Sequence, residues 1–142
     1  MKENVVFMAS VRDSSPDMLI AKVAEELKAS QVQPPEWARF VKTGVGRERP
    51  PTQKDWWQVR AASMLRKLYL SPSMGVSSMR KEYSSRKNLG HQPEHRRKAS
   101  GAITRKILQQ LDAAGLTKVE KGRGRVITAR GMSLIDKASK GL

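Results

Sequence analysis

Cysteine is absent from the 142-residue chain. Disulfides, thiolate chemistry and Cys–zinc sites are therefore excluded, and a reducing compartment is permitted. Aromatic residues are scarce, at 5%. A core must be built mainly from aliphatic side chains, and the large rings of Trp37, Trp56 and Trp57 are expected to serve packing rather than base stacking. No apolar run approaches the roughly 20 residues of a membrane-spanning helix. Residues Met1–Ser10 carry one basic residue and too short an apolar stretch for a secretory signal. Acidic residues are also few: 13 Asp and Glu stand against 28 Lys and Arg, a formal net charge of +15. A compact chain with that charge repels itself and calls for a polyanion, of which nucleic acid is the usual one.

What is present suits one domain. Apolar residues make up 38% of the sequence, enough for a single modest core and too many for a wholly disordered chain. Residues 1–142 are read as one domain, with 1–13 an extended or flexible N-terminus. The charge is uneven. Residues 1–36 hold four basic and six acidic side chains, whereas residues 37–142 hold 24 and seven. The densest stretch, Arg80 to Lys106, has nine basic and two acidic residues.

Helical periodicity predicts a first helix opened by Pro16 and Asp17 behind a Ser14 or Ser15 cap, running to about Ser30, with Met18, Leu19, Val23, Ala24 and Leu27 on its apolar face. A short turn follows at Glu36–Val41, then a loop broken by Gly44, Gly46, Pro50 and Pro51. A long helix is predicted from about Gln53 to Leu70. Trp57, Ala61, Met64, Leu65 and Leu68 share one face, and Trp56, Arg60, Ser63 and Lys67 form a second stripe. So little of it looks solvent-facing that it should be central. A shorter helix is predicted at Val76–Tyr83.

Ser84–Lys98 reads as a polar, basic loop. Ala99–Ala114 is then strongly amphipathic, with Ile103, Ile107, Leu108 and Leu111 inward and Arg105, Lys106, Gln109 and Asp112 outward. Gly115 is placed to end it. Leu116–Lys121 and Arg125–Thr128 read as strands joined by a Gly122-Arg123-Gly124 tip, and Thr128 can cap a last helix.

The fold class expected is mostly α: a helical bundle around a central helix, with a winged helix-turn-helix containing one short β-hairpin. In a winged helix the second helix lies in a groove while the hairpin rests on phosphates. Here the reading helix offers Arg105 and Lys106, and the wing offers Lys118, Lys121, Arg123 and Arg125. A DNA-reading helix-turn-helix joins its helices by roughly 3–4 residues. The Ser84–Lys98 connection is about fifteen residues long and carries Arg86, Lys87, Arg96, Arg97 and Lys98 against the single acid Glu94. Such a segment suits folded RNA, where shape and phosphate contacts dominate. A winged-helix DNA-binding transcription regulator is the alternative.

The chain also resembles a known family: the archaeal and eukaryotic small-subunit ribosomal protein nineteen, of the e-type. The resemblance is carried by Pro35–Gly44, Asp55-Trp56-Trp57-Gln58-Val59-Arg60-Ala61-Ala62-Ser63, Leu68-Tyr69-Leu70, Gly75-Val76, Arg86-Lys87-Asn88, Gly90-His91, Lys98–Gly101, Arg105–Leu111, Ala114-Gly115-Leu116 and Gly122–Thr128. It covers roughly Val11 to Lys137. The chain departs from the archaeal pattern at Ser84-Ser85, Leu89 and Arg96-Arg97.

The resemblance implies a mostly helical winged-helix protein, cytoplasmic on the ribosome, that binds small-subunit rRNA beside neighbouring small-subunit proteins and supports subunit maturation. It implies that Trp56 supports the fold and that Arg60 and Arg66 form or hold up the RNA surface. The expected RNA-binding set is Arg60, Arg66, Lys67, Arg80, Lys81, Arg86, Lys87, Arg96, Arg97, Lys98, Arg105, Lys121, Arg123 and Arg125, with Trp37, Trp56 and Trp57 structural. The chain is expected to be a monomer outside the ribosome, bound to no membrane.

No catalytic chemistry is expected. His91 and His95 are separated by Pro93, which breaks the helix that a His pair needs to hold a metal, and no cysteine can supply a third ligand. Glu94 beside His95 lacks a nucleophile or a second carboxylate. None of the glycines opens a phosphate-binding loop ending in Gly-Lys-Ser/Thr. No cofactor, metal or small-molecule substrate is therefore assigned.

Overall fold

The computed structural model describes residues 11–30 and 32–140. Most of the expected N-terminal extension, residues 1–10, lies outside that range. Residues 11–13 form a turn, and Val11 is buried.

Five α-helices are present among the described residues. The first, α1 (Pro16–Lys28), begins with a proline whose fixed φ suits the first turn. Asp17 in that turn and Lys28 in the last complement the helix dipole. Leu19, Val23, Ala24 and Leu27 are buried, as the periodicity required. Met18 is not part of that face: it is 57% exposed. A 3₁₀ turn at Glu36–Phe40 follows the two prolines.

Helix α2 (Trp56–Leu70) starts three residues later than the sequence suggested, since Lys54 and Asp55 form a turn after the extended Pro50-Pro51 segment. It is the hub of the fold, packing against α1, α4, α5 and strand β4, whose ranges follow. Trp57, Ala61, Met64, Leu65 and Leu68 are buried, and the second stripe at Trp56, Arg60, Ser63 and Lys67 is half-buried. The Trp57 indole N–H donates to Gln110 Oε1 at 2.8 Å. Trp37 and Trp56 meet the Trp57 ring edge-on, with centroids at 5.9 and 5.4 Å. Such T-shaped contacts add stabilisation beyond area burial.

Helix α3 (Val76–Glu82) leads into the largest departure from the sequence reading. Ser84–Lys98 is not a loop but a hairpin, β1 (Ser85–Leu89) and β2 (Gln92–Arg97), paired antiparallel. The described residues therefore hold two hairpins where one was expected. Gly90 makes the turn at φ +80°, and its N–H donates to Asn88 Oδ1 at 2.9 Å. No helix packs extensively on this hairpin.

Helix α4 (Gly101–Ala113) is capped by Ser100 Oγ, which accepts from the Ile103 N–H at 3.3 Å. Strands β3 (Thr117–Glu120) and β4 (Gly124–Ile127) form the second hairpin. It is extended by a one-residue bridge in which Met74 and Arg125 exchange backbone hydrogen bonds of 3.0 and 2.9 Å. Gly124, at φ +88°, lies so close to the Gly75 backbone that a β-carbon would collide with it. Helix α5 (Ala129–Lys140) closes the chain, with Thr128 Oγ1 accepting from the Gly131 N–H at 3.2 Å.

Candidate nucleic-acid interface

The β1–β2 hairpin concentrates exposed cations. Cross-strand pairs place Arg86 opposite Arg96, Lys87 opposite His95 and Ser85 opposite Arg97. Like charges set directly opposite one another destabilise a sheet. Burial offsets little of that cost: every residue of β2 is exposed, and no residue of β1 is fully buried. Its root, by contrast, is fastened. The Ser100 N–H donates to the Thr43 carbonyl at 2.9 Å, and the Ala99 N–H to the Arg80 carbonyl at 3.1 Å. Arg96 Nη1 donates to Ser84 Oγ at 2.8 Å, and Lys98 Nζ to Ser77 Oγ at 3.0 Å. The result is an anchored base with a charged, extended blade.

The other expected cations fall into three sets. Lys81, Arg105, Lys121 and Arg123 are exposed on α3, on α4 and at the tip of the second hairpin. Arg123 pairs with Glu120 at 3.5 Å. A surface pair of this kind contributes little and yields easily.

Others are occupied inside the protein. Arg80 Nε donates to the Ala99 carbonyl at 2.8 Å. Arg125 donates from Nε and Nη2 to Asp112 Oδ2 at 3.2 and 3.1 Å. Asp112 also accepts from the Thr117 hydroxyl, so it faces inward onto β3 and β4, not outward as helical spacing implied. Arg125 thus ties the second hairpin to α4.

Arg60, Arg66 and Lys67 converge on a residue that the sequence reading did not single out for the interface, Tyr83. The Arg60 guanidinium carbon lies 4.1 Å from the centre of the Tyr83 ring and Lys67 Nζ lies 5.3 Å from it. Lys67 also pairs with Glu82 at 3.4 Å. The Tyr83 hydroxyl is hydrogen-bonded to the Ser63 hydroxyl. Burial pushes the Tyr83 phenol above its usual range, with the Ser63 bond and the Arg60 charge opposing it. Burial likewise lowers the Arg60 pKa, with the charge interaction of the Tyr83 phenol opposing and the Arg47 charge assisting. Arg60 Nη1 and Arg66 Nε are buried with no hydrogen-bond partner among the described residues. The spacing of Arg60, Ser63 and Lys67 along one stripe was the available signal that one neighbour serves all three.

Phe40 was also passed over. It is 72% exposed, with the Arg39 guanidinium 5.0 Å from its ring centre.

Among the described residues no helix is long and apolar enough to cross a membrane, and no three His, Asp or Glu side chains gather to hold a metal ion.

The family described as ribosomal protein S19e matches residues 10–142. The chain belongs to the ribosomal protein S19e family. It is 52% identical over 136 residues to the small ribosomal subunit protein eS19 of Aeropyrum pernix, covering 94% of this chain and 89% of that protein. It is 41% identical to the protein of that name from Haloarcula marismortui, over 91% of this chain and 88% of the other. Identity to the Oryza sativa protein of the same name is 40%, over 92% of this chain and 90% of the other. For the S19e chain described here, the matched span takes in both hairpins and the Tyr83 cluster.

Proposed function

We propose that this chain is a structural constituent of the small ribosomal subunit. It binds small-subunit rRNA through phosphate contacts, sits beside other subunit proteins and supports subunit assembly. It is not an enzyme. The observation that carries the reading is the β1–β2 hairpin. Arg86 and Arg96 face each other on an exposed, anchored blade, an arrangement relieved by a polyanion running along it. Membership of the S19e family supports the ribosome as the place where that polyanion is met, in the cytoplasm. The exposed Phe40 and Met132 are available to protein neighbours.

In this reading α3, α4, the β3–β4 hairpin and α5 form a winged helix in which an extra hairpin has replaced the tight turn. That replacement speaks against the DNA-regulator alternative, because the two helices no longer form the compact unit that enters a major groove. Outside the subunit the chain is a monomer.

The test is competition at several salt concentrations. The protein should prefer a small-subunit rRNA fragment over duplex DNA of equal charge. Its log K should fall with log salt at a slope of about 0.7–0.9 per phosphate contact. Tight preference for one duplex, or affinity indifferent to salt, contradicts the proposal.

A further inference from the structure

A groove of about 680 Å³ lies between α1 and α5, against the C-terminal end of α4. Leu27, Leu116, Leu134 and Ala138 give it an aliphatic floor, of which the half-buried Leu134 is the most open part. Among the described residues no aromatic ring lines it, so it offers a nucleotide base nothing to stack on. Its rim is basic. Lys22, Arg130, Lys137 and Lys140 stand on it, and none of them has an ion pair among the described residues. Two acids share the rim, Glu26 and Asp136. Asp136 is already engaged, accepting from the Tyr69 hydroxyl at 2.6 Å. Arg130 lies over the end of α4, where Gly115 leaves it room: a β-carbon on Gly115 would come within 3.2 Å of Arg130 Nη1. The groove is also remote from the β1–β2 hairpin. That hairpin is fastened at Ser100, where α4 begins. The groove reaches Ala114, just past the other end of the helix, about 20 Å away at 1.5 Å per residue.

We propose that this groove receives an acidic segment of a neighbouring protein in the small subunit. The segment lays aliphatic side chains on the floor, and its carboxylates meet Lys22, Lys137 and Lys140 on the rim. Charge complementarity sets the sign of the partner, because the unpaired cations outnumber the one acid left free. The floor sets its class. Aliphatic side chains gain by leaving water against Leu134, and a phosphate strand gains nothing there. An amphipathic segment that fills a groove between helices meets both conditions. The inference rests on the reading of this chain as a small-subunit protein and deepens it, giving the protein neighbour a surface and a charge. With the hairpin and the groove at opposite ends of α4, RNA and this partner are held at the same time.

The experiment is made on purified small subunits. A zero-length carbodiimide joins a lysine amine to a carboxylate in contact with it, and mass spectrometry reads the linked pair. Lys22, Lys137 or Lys140 should be joined to an Asp or Glu of another subunit protein. If none of these amines is joined to another protein in particles that contain the chain, the groove proposal is overturned and the ribosomal reading stands. A chain absent from the particles overturns both. A second arm uses Lys137→Gln with Lys140→Gln, both at exposed positions, expressed beside the wild-type chain. Two surface ion pairs are lost, so the variant's share of the subunits should fall by about three- to fourfold. Its affinity for a small-subunit rRNA fragment should fall by less than that of the Arg86→Gln, Arg96→Gln chain. An rRNA affinity lost as far as in that hairpin variant assigns the groove to RNA and overturns the proposal, as does an undiminished share of the subunits.

Discussion

At the scale of residues, the structure separates cations that hold the protein together from cations available to a partner. Asp112 and Arg125 show the first kind. Their side chains are 24% and 16% exposed and are joined by two hydrogen bonds, with the Thr117 hydroxyl as a third partner. Replacing Asp112 by Ala strands a half-buried guanidinium. The expected cost is roughly 1–3 kcal/mol in urea unfolding, and an unchanged midpoint would remove Arg125 from the scaffold. Arg60 and Arg66 are proposed as the second kind, and each keeps a buried nitrogen with no hydrogen-bond partner among the described residues. Arg60→Glu and Arg66→Glu should reduce incorporation into the small subunit more than the same change at Lys2, in the acidic N-terminal stretch. Equal incorporation of all three, measured by quantitative mass spectrometry of purified subunits, would refute the assigned surface. Composition alone could not make this division. Arg125 and Arg123 look alike in sequence, and only the fold brings Asp112 to one of them.

At the scale of elements, legibility followed burial. Helices α1, α2 and α4 bury one face each, so Leu19, Val23 and Leu27, or Ile103, Ile107 and Leu111, recur at helical spacing in the sequence. The caps at Ser100 and Thr128 and the stop at Gly115 were equally readable, because each depends on local chemistry. The β1–β2 hairpin was not readable. β2 is wholly exposed, and the half-buried positions of β1 are Ser85, Lys87 and Leu89, so no alternation of apolar and polar residues marks a strand and the run of charges looks like a solvated loop. The only local hint was the Asn88-Leu89-Gly90 turn. Asp112 was misassigned for a related reason: a carboxylate facing two strands leaves no trace in helical periodicity.

Both hairpins yield predictions. Changing Arg86 and Arg96 together to Gln removes an opposed like-charge pair, so stability should hold or rise while rRNA affinity falls. A loss of melting temperature would mean that the pair is structural. Arg123→Glu at the exposed tip of the β3–β4 hairpin should weaken rRNA binding with stability changed by no more than about 0.5 kcal/mol.

At the scale of the whole molecule, a formal charge of +15 is carried by a core that α2 organises, and part of that core titrates at high pH. Hydrogen bonding to Asp136, followed by burial, raises the Tyr69 pKa, and burial raises that of Tyr83. Unfolded tyrosine ionises near pH 10. The folded state holds these protons longer, so their contribution is complete below about pH 10 and is lost as pH rises through the folded values. Lys28, raised by its hydrogen bonds to Glu25 and Asp55, acts in the same direction. Thermal melts should therefore hold steady on approach to about pH 10 and fall above it. Phe at both tyrosine positions should flatten that fall, and an identical alkaline profile in the double variant would exclude this linkage.

The central claim is that this molecule is a small-subunit protein held by its positive surface on rRNA. Sedimentation of a cell lysate through a gradient tests it most directly. The chain should migrate with the small subunit at low salt and leave it progressively as salt is raised, with the Arg86/Arg96 double variant leaving first. A chain that stays at the top of the gradient at low salt, or remains on the particle unaffected by a high-salt wash, would contradict the account.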